Sequence, residues 1–326
     1  MVASTHTRRL RRIPVLILSA WLVGVFLLSG CSTQNAAPGT VAAPAGVLTP
    51  RAFVPAAGSA GESGKTAGNS TATAPQKRVL FIQGDHVPAS GYPQSRVLDD
   101  GRKPESFSRL RSQVLEGDLK LGVDEIVLTK TSRIDAALLA PYAVVVLGSN
   151  DRALTPAEVG ALTAYYQKGG SVLVYADSQF GPNNWDSDNS FIGQFGMHVL
   201  TDNYQPAVTI TNVVSAHPIM NGVKAIRGEG ISQFRISASA LGQVKVLASC
   251  TPQTRSGCIL PPADQATLKP GDTVACVVVR ENAAGGRLAG VCDRNFFQNG
   301  PGPGSDLGQA DDRLFARNLF RWLSKQ

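Results

Sequence analysis

Short apolar runs mark the strands in the first half of the chain beyond residue 77. Each run is four to six residues long, a length that fits a strand buried on both faces of a parallel sheet. Apolar residues at helical spacing separate several of these runs. The runs occupy residues 79–82, 125–128, 143–147 and 171–176, and the helical patterns cover residues 106–119 and 155–168.

The second of these helices has a well-defined start. Thr155 suits an N-cap, Pro156 suits the first turn, and Glu158 completes a capping box. The alternation of strands and helices therefore predicts an α/β fold with a doubly wound, mostly parallel sheet.

The pattern is less regular after residue 180. It predicts a short helix at 189–195 and strands at 208–210 and 244–248. Residues 273–280 and 287–292 flank a Gly285-Gly286 turn and predict a C-terminal hairpin. An amphipathic helix over residues 311–323 closes the chain.

The first thirty residues have the pattern of an export signal. A cationic segment, Arg8 to Arg12, precedes the uncharged apolar residues 13–28, a stretch too short for the roughly 20 residues of a spanning helix. Leu28-Ser29-Gly30-Cys31 then resembles the cleavage box of bacterial lipoproteins. The resemblance implies that Cys31 becomes an acylated N-terminus, carrying diacylglyceryl and palmitate chains. The alternative is an uncleaved anchor in which Cys31 is incidental.

Composition divides the remainder into a tether and a body. Residues 31–77 are rich in Ala, Gly, Pro, Ser and Thr and have no sustained periodicity, so we expect a flexible tether. The predicted organisation is a signal peptide at 1–30, the lipidated cysteine and tether at 31–77, and one α/β domain at 78–326.

The net charge of +7 does not indicate nucleic-acid binding. Four arginines lie in the first thirty residues, which contain no acidic residue, so the rest of the chain carries only +3. A surplus this small provides no basic stripe for phosphates, and we expect no nucleic-acid partner.

Four cysteines remain when Cys31 is set aside. In an exported chain an even number predicts two disulfides, for which three pairings exist. If the hairpin turn is centred on Ala284, Cys276 and Cys292 each lie eight residues from it and should face each other, which favours Cys276–Cys292 with Cys250–Cys258. The alternatives are four reduced thiols or a zinc site, and the spacing argues against zinc.

The body carries an ordered series of motifs. They are Leu147-Gly148-Ser149, the 155–168 helix followed by Gly169-Gly170 and a strand, Ser215 to Val223 with its His-Pro-Ile sequence, Cys292 to Phe297, and Asp312 to Leu323. In this order they resemble the class I glutamine amidotransferase-like superfamily. The nearest branches are the trehalose-utilisation-protein-like domains and related domains of gliding-motility and intraflagellar-transport proteins. The resemblance spans roughly residues 77–326 and implies a flavodoxin-like sheet.

One departure from this family bears on function. True amidotransferases carry a cysteine nucleophile on a sharp turn after the fourth strand. Ala176 stands at that position here, and no glutamate follows His217-Pro218 at the spacing of the catalytic dyad. We therefore expect no glutamine hydrolysis, no cofactor and no catalytic residues of that kind.

Polar residues follow the predicted strands, and the carboxyl ends of parallel strands are where open α/β sheets bind ligands. Asp177 and Asp293 are the favoured members, as ligands for a cation, a sugar hydroxyl or a water. Their alternative role is to cap loops and helices. The full set of candidates is Asp85, Asp151, Asp177, Ser178 and Asp293.

Two further groups have competing interpretations. Asp186, Asp188 and Asp202 could bind Ca²⁺, but Asp188 or Asn189 would also serve as a helix N-cap, and the capping role is favoured. His217 could act as a general base, although a His-Pro pair more often fixes a turn.

These features predict a lipid-anchored extracytoplasmic protein on the cell membrane or outer membrane. Its domain would bind or scaffold an envelope protein or polysaccharide. The main alternative is a carbohydrate-active enzyme of the trehalose-utilisation-like kind that uses Asp177, Asp293 and His217 in acid–base roles. A purely structural partner of an envelope complex is a third possibility.

Overall fold

A computed structural model describes residues 76–84, 98, 106–128, 131–148, 153–176, 184–200, 207–250, 260, 262–300 and 306–326. All of them belong to one compact unit, Ser70–Gln326. The predicted signal peptide and nearly all of the tether lie outside the described residues, so these segments and the boundary at residue 78 stay predictions. Within the described part of the chain, no helix is both long and apolar enough to cross a bilayer.

Strands account for much of the regular structure. In chain order they are β1 (Arg78–Gly84), β2 (Gly122–Leu128), β3 (Val144–Gly148), β4 (Ser171–Tyr175), β5 (Met197–Val199), β6 (Val208–Ile210), β7 (Asn212–Val213), β8 (Ile226–Gly228), β9 (Phe234–Ile236), β10 (Val244–Ser249), β11 (Thr273–Ala275), β12 (Val277–Glu281) and β13 (Arg287–Val291).

Helices connect these strands. They are a π-helix (Leu110–Asp118), α1 (Ala136–Leu139), α2 (Pro156–Gln167), α3 (Asn184–Ile192), α4 (Pro262–Gln265) and α5 (Asp312–Leu323). Single turns of 3₁₀-helix span Gly193–Phe195, Pro218–Met220, Ala238–Ala240 and Asn295–Phe297.

The main sheet has the strand order β2-β1-β3-β4-β13-β12-β10-β7 among the described residues. The first five strands are parallel and the last three pair antiparallel. The parallel part therefore has the 2-1-3-4-5 order of a flavodoxin-like sheet, whose switch point lies between β1 and β3. The predicted doubly wound α/β fold is confirmed.

The central strands are buried on both faces because helices cover both sides of the sheet. Every residue of β3 and β4 is buried. On one face α5 packs with the π-helix, and the Phe320 ring stacks on Phe81 of β1 at a centroid distance of 6.2 Å. Right-handed crossovers place α1 and α2 on the other face. Phe315, Leu319 and Leu323 form the inward side of α5, as its amphipathic pattern predicts.

The capping box of α2 is confirmed. The Glu158 N–H donates to the Thr155 hydroxyl at 3.3 Å, and the Thr155 N–H donates to the Glu158 carboxylate at 2.8 Å. Glu158 is buried, and the same carboxylate also accepts from the Ile134 N–H at 3.1 Å. This one side chain therefore starts α2 and holds the preceding segment against it.

Two predicted boundaries are wrong. Helix α3 begins at Asn184 rather than at residue 189, so neither Asp188 nor Asn189 is its N-cap. The Asn189 amide instead bonds both backbone groups of Val199, at 2.7 and 3.1 Å, and fastens β5 to the helix. The predicted strand at 273–280 is interrupted at Cys276, because β11 pairs with β9 in a separate small sheet.

The predicted Cys276–Cys292 disulfide is also wrong. The two residues do lie opposite each other, and the Cys292 N–H donates to the Cys276 carbonyl at 2.8 Å. Both are buried free thiols, and their side chains are hydrogen-bonded. Opposition brings two side chains close but does not by itself supply the geometry of an S–S bond. Cys258 lies outside the described residues, so the Cys250–Cys258 pairing stays a prediction.

Candidate functional site

The carboxyl edge of the parallel strands is described only in part. The predicted site residues Asp85, Asp151, Asp177 and Ser178 lie outside the described residues. Asp293 is described, and so are the last residues of β1, β3 and β4. These residues form the described part of the carboxyl edge.

Asp293 is fully buried two residues beyond the end of β13. Its Oδ2 accepts from the Glu229 N–H at 2.6 Å, and its Oδ1 accepts from the Asn295 N–H at 2.9 Å. The Asn295 amide donates to the Glu229 carbonyl at 3.2 Å. This carboxylate thus joins the turn after β13 to the segment after β8. A Cβ on Gly228 would lie 2.9 Å from Asp293 Oδ2, so the close approach requires glycine there.

Tyr175 fills the sheet face at the switch point. Its ring lies over Gly148 of β3, where any Cβ would overlap it. Its hydroxyl donates to Gln83 Oε1 of β1 at 2.8 Å. A side chain from β4 therefore crosses β3 and bonds β1, beneath the place where flavodoxin-like sheets hold ligands.

An aromatic cluster extends from Tyr175 to a buried cation. The Phe107 ring contacts the rings of Tyr175 and Phe297 edge-on, at centroid distances of 5.9 and 6.0 Å. The Arg294 guanidinium lies 6.0 Å from the centroid of the Phe107 ring and is only 2% exposed. A guanidinium over an aromatic face is a favourable arrangement, and it fixes the cation at the carboxyl edge.

Among the described residues at this edge, two buried polar groups lack hydrogen-bond partners. They are Gln83 Nε2 and Ser232 Oγ. Ser232 lies next to the end of β13, because its N–H donates to the Cys292 carbonyl at 2.8 Å. A buried donor without a partner costs free energy, so these groups are suited to bond a ligand oxygen.

Asp312 is a buried acid that the sequence reasoning missed. Its Oδ1 accepts from the Arg227 N–H at 2.9 Å, and its Oδ2 has no partner. Burial, with the nearby charges of Asp306 and Asp311, raises the pKa of Asp312 to about 9. The Arg227 N–H in β8 bonds Asp312, and the Glu229 N–H directly after this strand bonds Asp293. Because its pKa is about 9, the Asp312 carboxyl is protonated at neutral pH.

The structure separates His217 from Asp293. His217 begins the 3₁₀ turn Pro218–Met220, and its Nδ1 accepts from the Ile219 N–H at 3.3 Å. Its ring packs on Trp322, whose carbonyl accepts from Arg287, the first residue of β13. Asp293 follows the opposite end of that strand, whose first and last residues are about 13 Å apart at 3.3 Å per residue.

The environment of His217 favours the neutral form of its ring. Burial, followed by the charge of Lys245, lowers the pKa of His217. The His-Pro pair fixes a turn, as its alternative interpretation states. The structure does not bring His217 and Asp293 together, and their acid–base roles stay predictions.

The calcium candidates are not brought together in the described part of the chain. Asp188 is buried inside α3, while Asp202 and the Asp186 side chain lie outside the description. Over the described ranges, no group of His, Cys, Asp and Glu has the arrangement of a metal site.

The strand order defines this chain as a flavodoxin-like α/β domain with a three-strand antiparallel extension. No protein-family model matches the chain, and no curated protein matches it. Among solved structures, the chain is similar to the mmIFT52 N-terminal domain, with 14% identity, a TM-score of 0.49, and coverage of 76% of this chain and 97% of that one.

The chain is also similar to ThuA-like proteins from two bacteria. For the Bacteroides uniformis protein the identity is 15%, the TM-score 0.46 and the coverage 80% of this chain and 95% of that one. For the Parabacteroides merdae protein the identity is 13%, the TM-score 0.43 and the coverage 77% of this chain and 91% of that one. These are likenesses of fold alone, and the fold itself is established by strand order and register.

Proposed function

We propose that this chain is a lipid-anchored extracytoplasmic protein whose α/β domain binds a partner of the cell envelope and lacks amidotransferase chemistry. The observation that carries the proposal is Ala176. It is buried directly after β4, where the resemblance places the nucleophile, and its N–H donates to the Val291 carbonyl at 2.8 Å. A methyl group in that position cannot attack a substrate carbonyl.

The carboxyl edge has properties that suit binding. Gln83 Nε2 and Ser232 Oγ are partnerless donors, and Arg294 is a cation held in place by packing. Preformed donors of this kind recognise the oxygen atoms of sugars, carboxylates or backbone carbonyls. An envelope polysaccharide or protein offers such atoms.

The alternative is a carbohydrate-active enzyme, and Glu229 is the observation that favours it. Partial burial raises the pKa of Glu229, and its backbone is bonded to Asp293. An acid with a raised pKa beside a second carboxylate is the combination that glycoside hydrolysis uses. If this alternative holds, Glu229→Gln abolishes sugar turnover while sugar binding persists. If the chain is a binder, turnover is absent before and after the substitution.

Acylation of Cys31 tests the anchoring directly. The full chain would be expressed in a bacterium fed an alkynyl palmitate, and the label in the protein would be measured. We expect wild type and the neighbouring control Ser32→Ala to be labelled and Cys31→Ala to be unlabelled. Equal labelling of Cys31→Ala would show that Cys31 is not the anchor.

A further inference from the structure

A cavity lies at the opposite edge of the sheet from the carboxyl-edge site. It has a volume of about 520 Å³, within the usual range for small-ligand sites. It is bounded by Lys77 before β1, by α1, by the end of α2 with Gly169-Gly170, and by the residues after α5. We call this cavity the basal pocket.

The walls of the basal pocket are mainly apolar. They include alanines of α1 and α2, Leu323, and the tyrosines Tyr142 and Tyr165. The Tyr165 hydroxyl is already used, since it donates to the Tyr142 carbonyl at 2.9 Å. Burial raises the pKa of both tyrosines, so both phenols are neutral at physiological pH. The interior thus offers apolar surface with few free side-chain groups that would hydrogen-bond a ligand.

Three lysines supply the polar part of the basal pocket. Lys77 Nζ donates to the Ser324 and Lys325 carbonyls, at 2.7 and 3.0 Å. Lys325 Nζ donates to the Gly169 carbonyl at 2.6 Å. Lys168, at the C-cap of α2, is the third. Each ammonium has three donors, so N–H groups remain for a ligand after these contacts.

The positive charge of the pocket is not balanced by its own lining. None of the described lining residues is acidic. Burial, followed by the charges of Arg287 and Lys77, lowers the pKa of Lys325, and Glu281 acts on it in the opposite sense. An anion placed among these lysines would therefore relieve charge repulsion.

We propose that the basal pocket binds a small anion that carries an apolar group, such as a phosphate monoester or carboxylate on a short hydrocarbon. The head group would take the free donors of Lys77, Lys168 and Lys325, and the hydrocarbon would lie on the alanines and Leu323. Such an anion exists both as a soluble compound and as the head and first carbons of an acidic phospholipid. The pocket recognises the chemistry that these two sources share.

The test uses the full chain in discs of phosphatidylcholine, which has no net charge, with hexyl phosphate as the probe. Acetylation of individual lysines, followed by mass spectrometry, reports occupancy of the pocket. 1-Hexanol provides the apolar group without the charge. Lys168→Gln removes a pocket cation, Ala164→Leu fills the apolar wall, and Lys269→Gln is the matched surface control.

Hexyl phosphate should slow acetylation of Lys168 and Lys325 but not of Lys269, and hexanol should have no effect. Lys168→Gln should raise the half-saturating concentration of hexyl phosphate about tenfold, which is the effect of losing one charge-assisted hydrogen bond. Ala164→Leu should abolish protection, and Lys269→Gln should leave it intact. Protection by discs of phosphatidylglycerol without added probe would support the proposal and identify a lipid head group as the source.

Three results would overturn the proposal. One is the absence of protection by hexyl phosphate at any concentration. Another is equal protection by hexanol, which would make the site merely apolar. The third is slow acetylation of Lys168 in the unliganded wild type, which would mean that the chain itself already covers the pocket.

Discussion

Asp312 should make the folded state less stable as pH rises. Its carboxyl is fully buried, and its pKa is raised to about 9 from an ordinary value of 3.8. Folding therefore takes up a proton between these two pH values. The stabilisation is fully present below the unfolded pKa and is lost as pH rises towards 9.

The size of the effect follows from this difference. Each pH unit within the window changes the free energy of unfolding by about 1.4 kcal/mol, so the interval from pH 5 to pH 8 contributes up to about 4 kcal/mol. Asp312→Asn removes the titration but keeps the Oδ1 acceptor for the Arg227 N–H. Relative to wild type, the variant should gain stability steadily across this interval and should be nearly equal to it at pH 4.

Urea unfolding of both proteins at pH 4, 5, 7 and 8 measures this difference. The slope m should be the same for both proteins, so the midpoints compare directly. Parallel pH profiles for wild type and Asp312→Asn would refute the reasoning, because they would mean that Asp312 is ionised when buried.

Two other substitutions and a thiol-labelling experiment probe different parts of the fold. Two backbone N–H groups and Arg235 lower the pKa of Asp272. Asp272→Asn should therefore destabilise the protein at pH 7 and match the wild-type stability below the folded pKa of Asp272. In the same urea series, this pH dependence has the opposite sign to that of Asp312. Gly148→Ala should lower the stability by about 1–3 kcal/mol in thermal unfolding, because the methyl overlaps the Tyr175 ring; an unchanged midpoint would contradict the packing. Burial raises the pKa of the Cys292 thiol, so a thiol reagent should leave Cys276 and Cys292 unmodified in the native protein and label both in denaturant without reductant. Labelling only after reduction would show that the pair is oxidised.

The sequence was sufficient where one local signal decides the structure. Thr155 and Glu158 fixed the start of α2, and the apolar runs located β1, β3 and β4 because both faces of those strands are covered. At the edge of the sheet, the half-buried β2 begins at Gly122, three residues before the predicted start. A hairpin turn centred on Ala284 correctly placed Cys276 opposite Cys292. The sequence did not predict that the two thiols stay unbonded. Opposite positions constrain only the backbone, and the packing around each side chain decides whether an S–S bond can form.

The candidate site could not be predicted as well, because its members meet through tertiary contacts. Tyr175 reads as one more apolar strand residue, and only the register of β1, β3 and β4 brings its hydroxyl to Gln83. Asp312 reads as an ordinary acidic residue in the first turn of a helix, and the packing around β8 makes it a buried acid. His217 was grouped with Asp293 by residue type alone, and the direction of β13 separates the two.

Ligand-dependent thermal unfolding tests the proposed binding most directly. The full chain would be scanned with envelope sugars, peptidoglycan fragments and divalent cations, beside Gln83→Leu at the carboxyl edge and Lys168→Gln at the opposite edge. A ligand at a hundredfold its dissociation constant should stabilise wild type and Lys168→Gln by about 2.7 kcal/mol and leave Gln83→Leu unchanged. A shift that persists in Gln83→Leu, or conversion of the stabilising sugar into product, would contradict the account of a non-catalytic binding site at this edge.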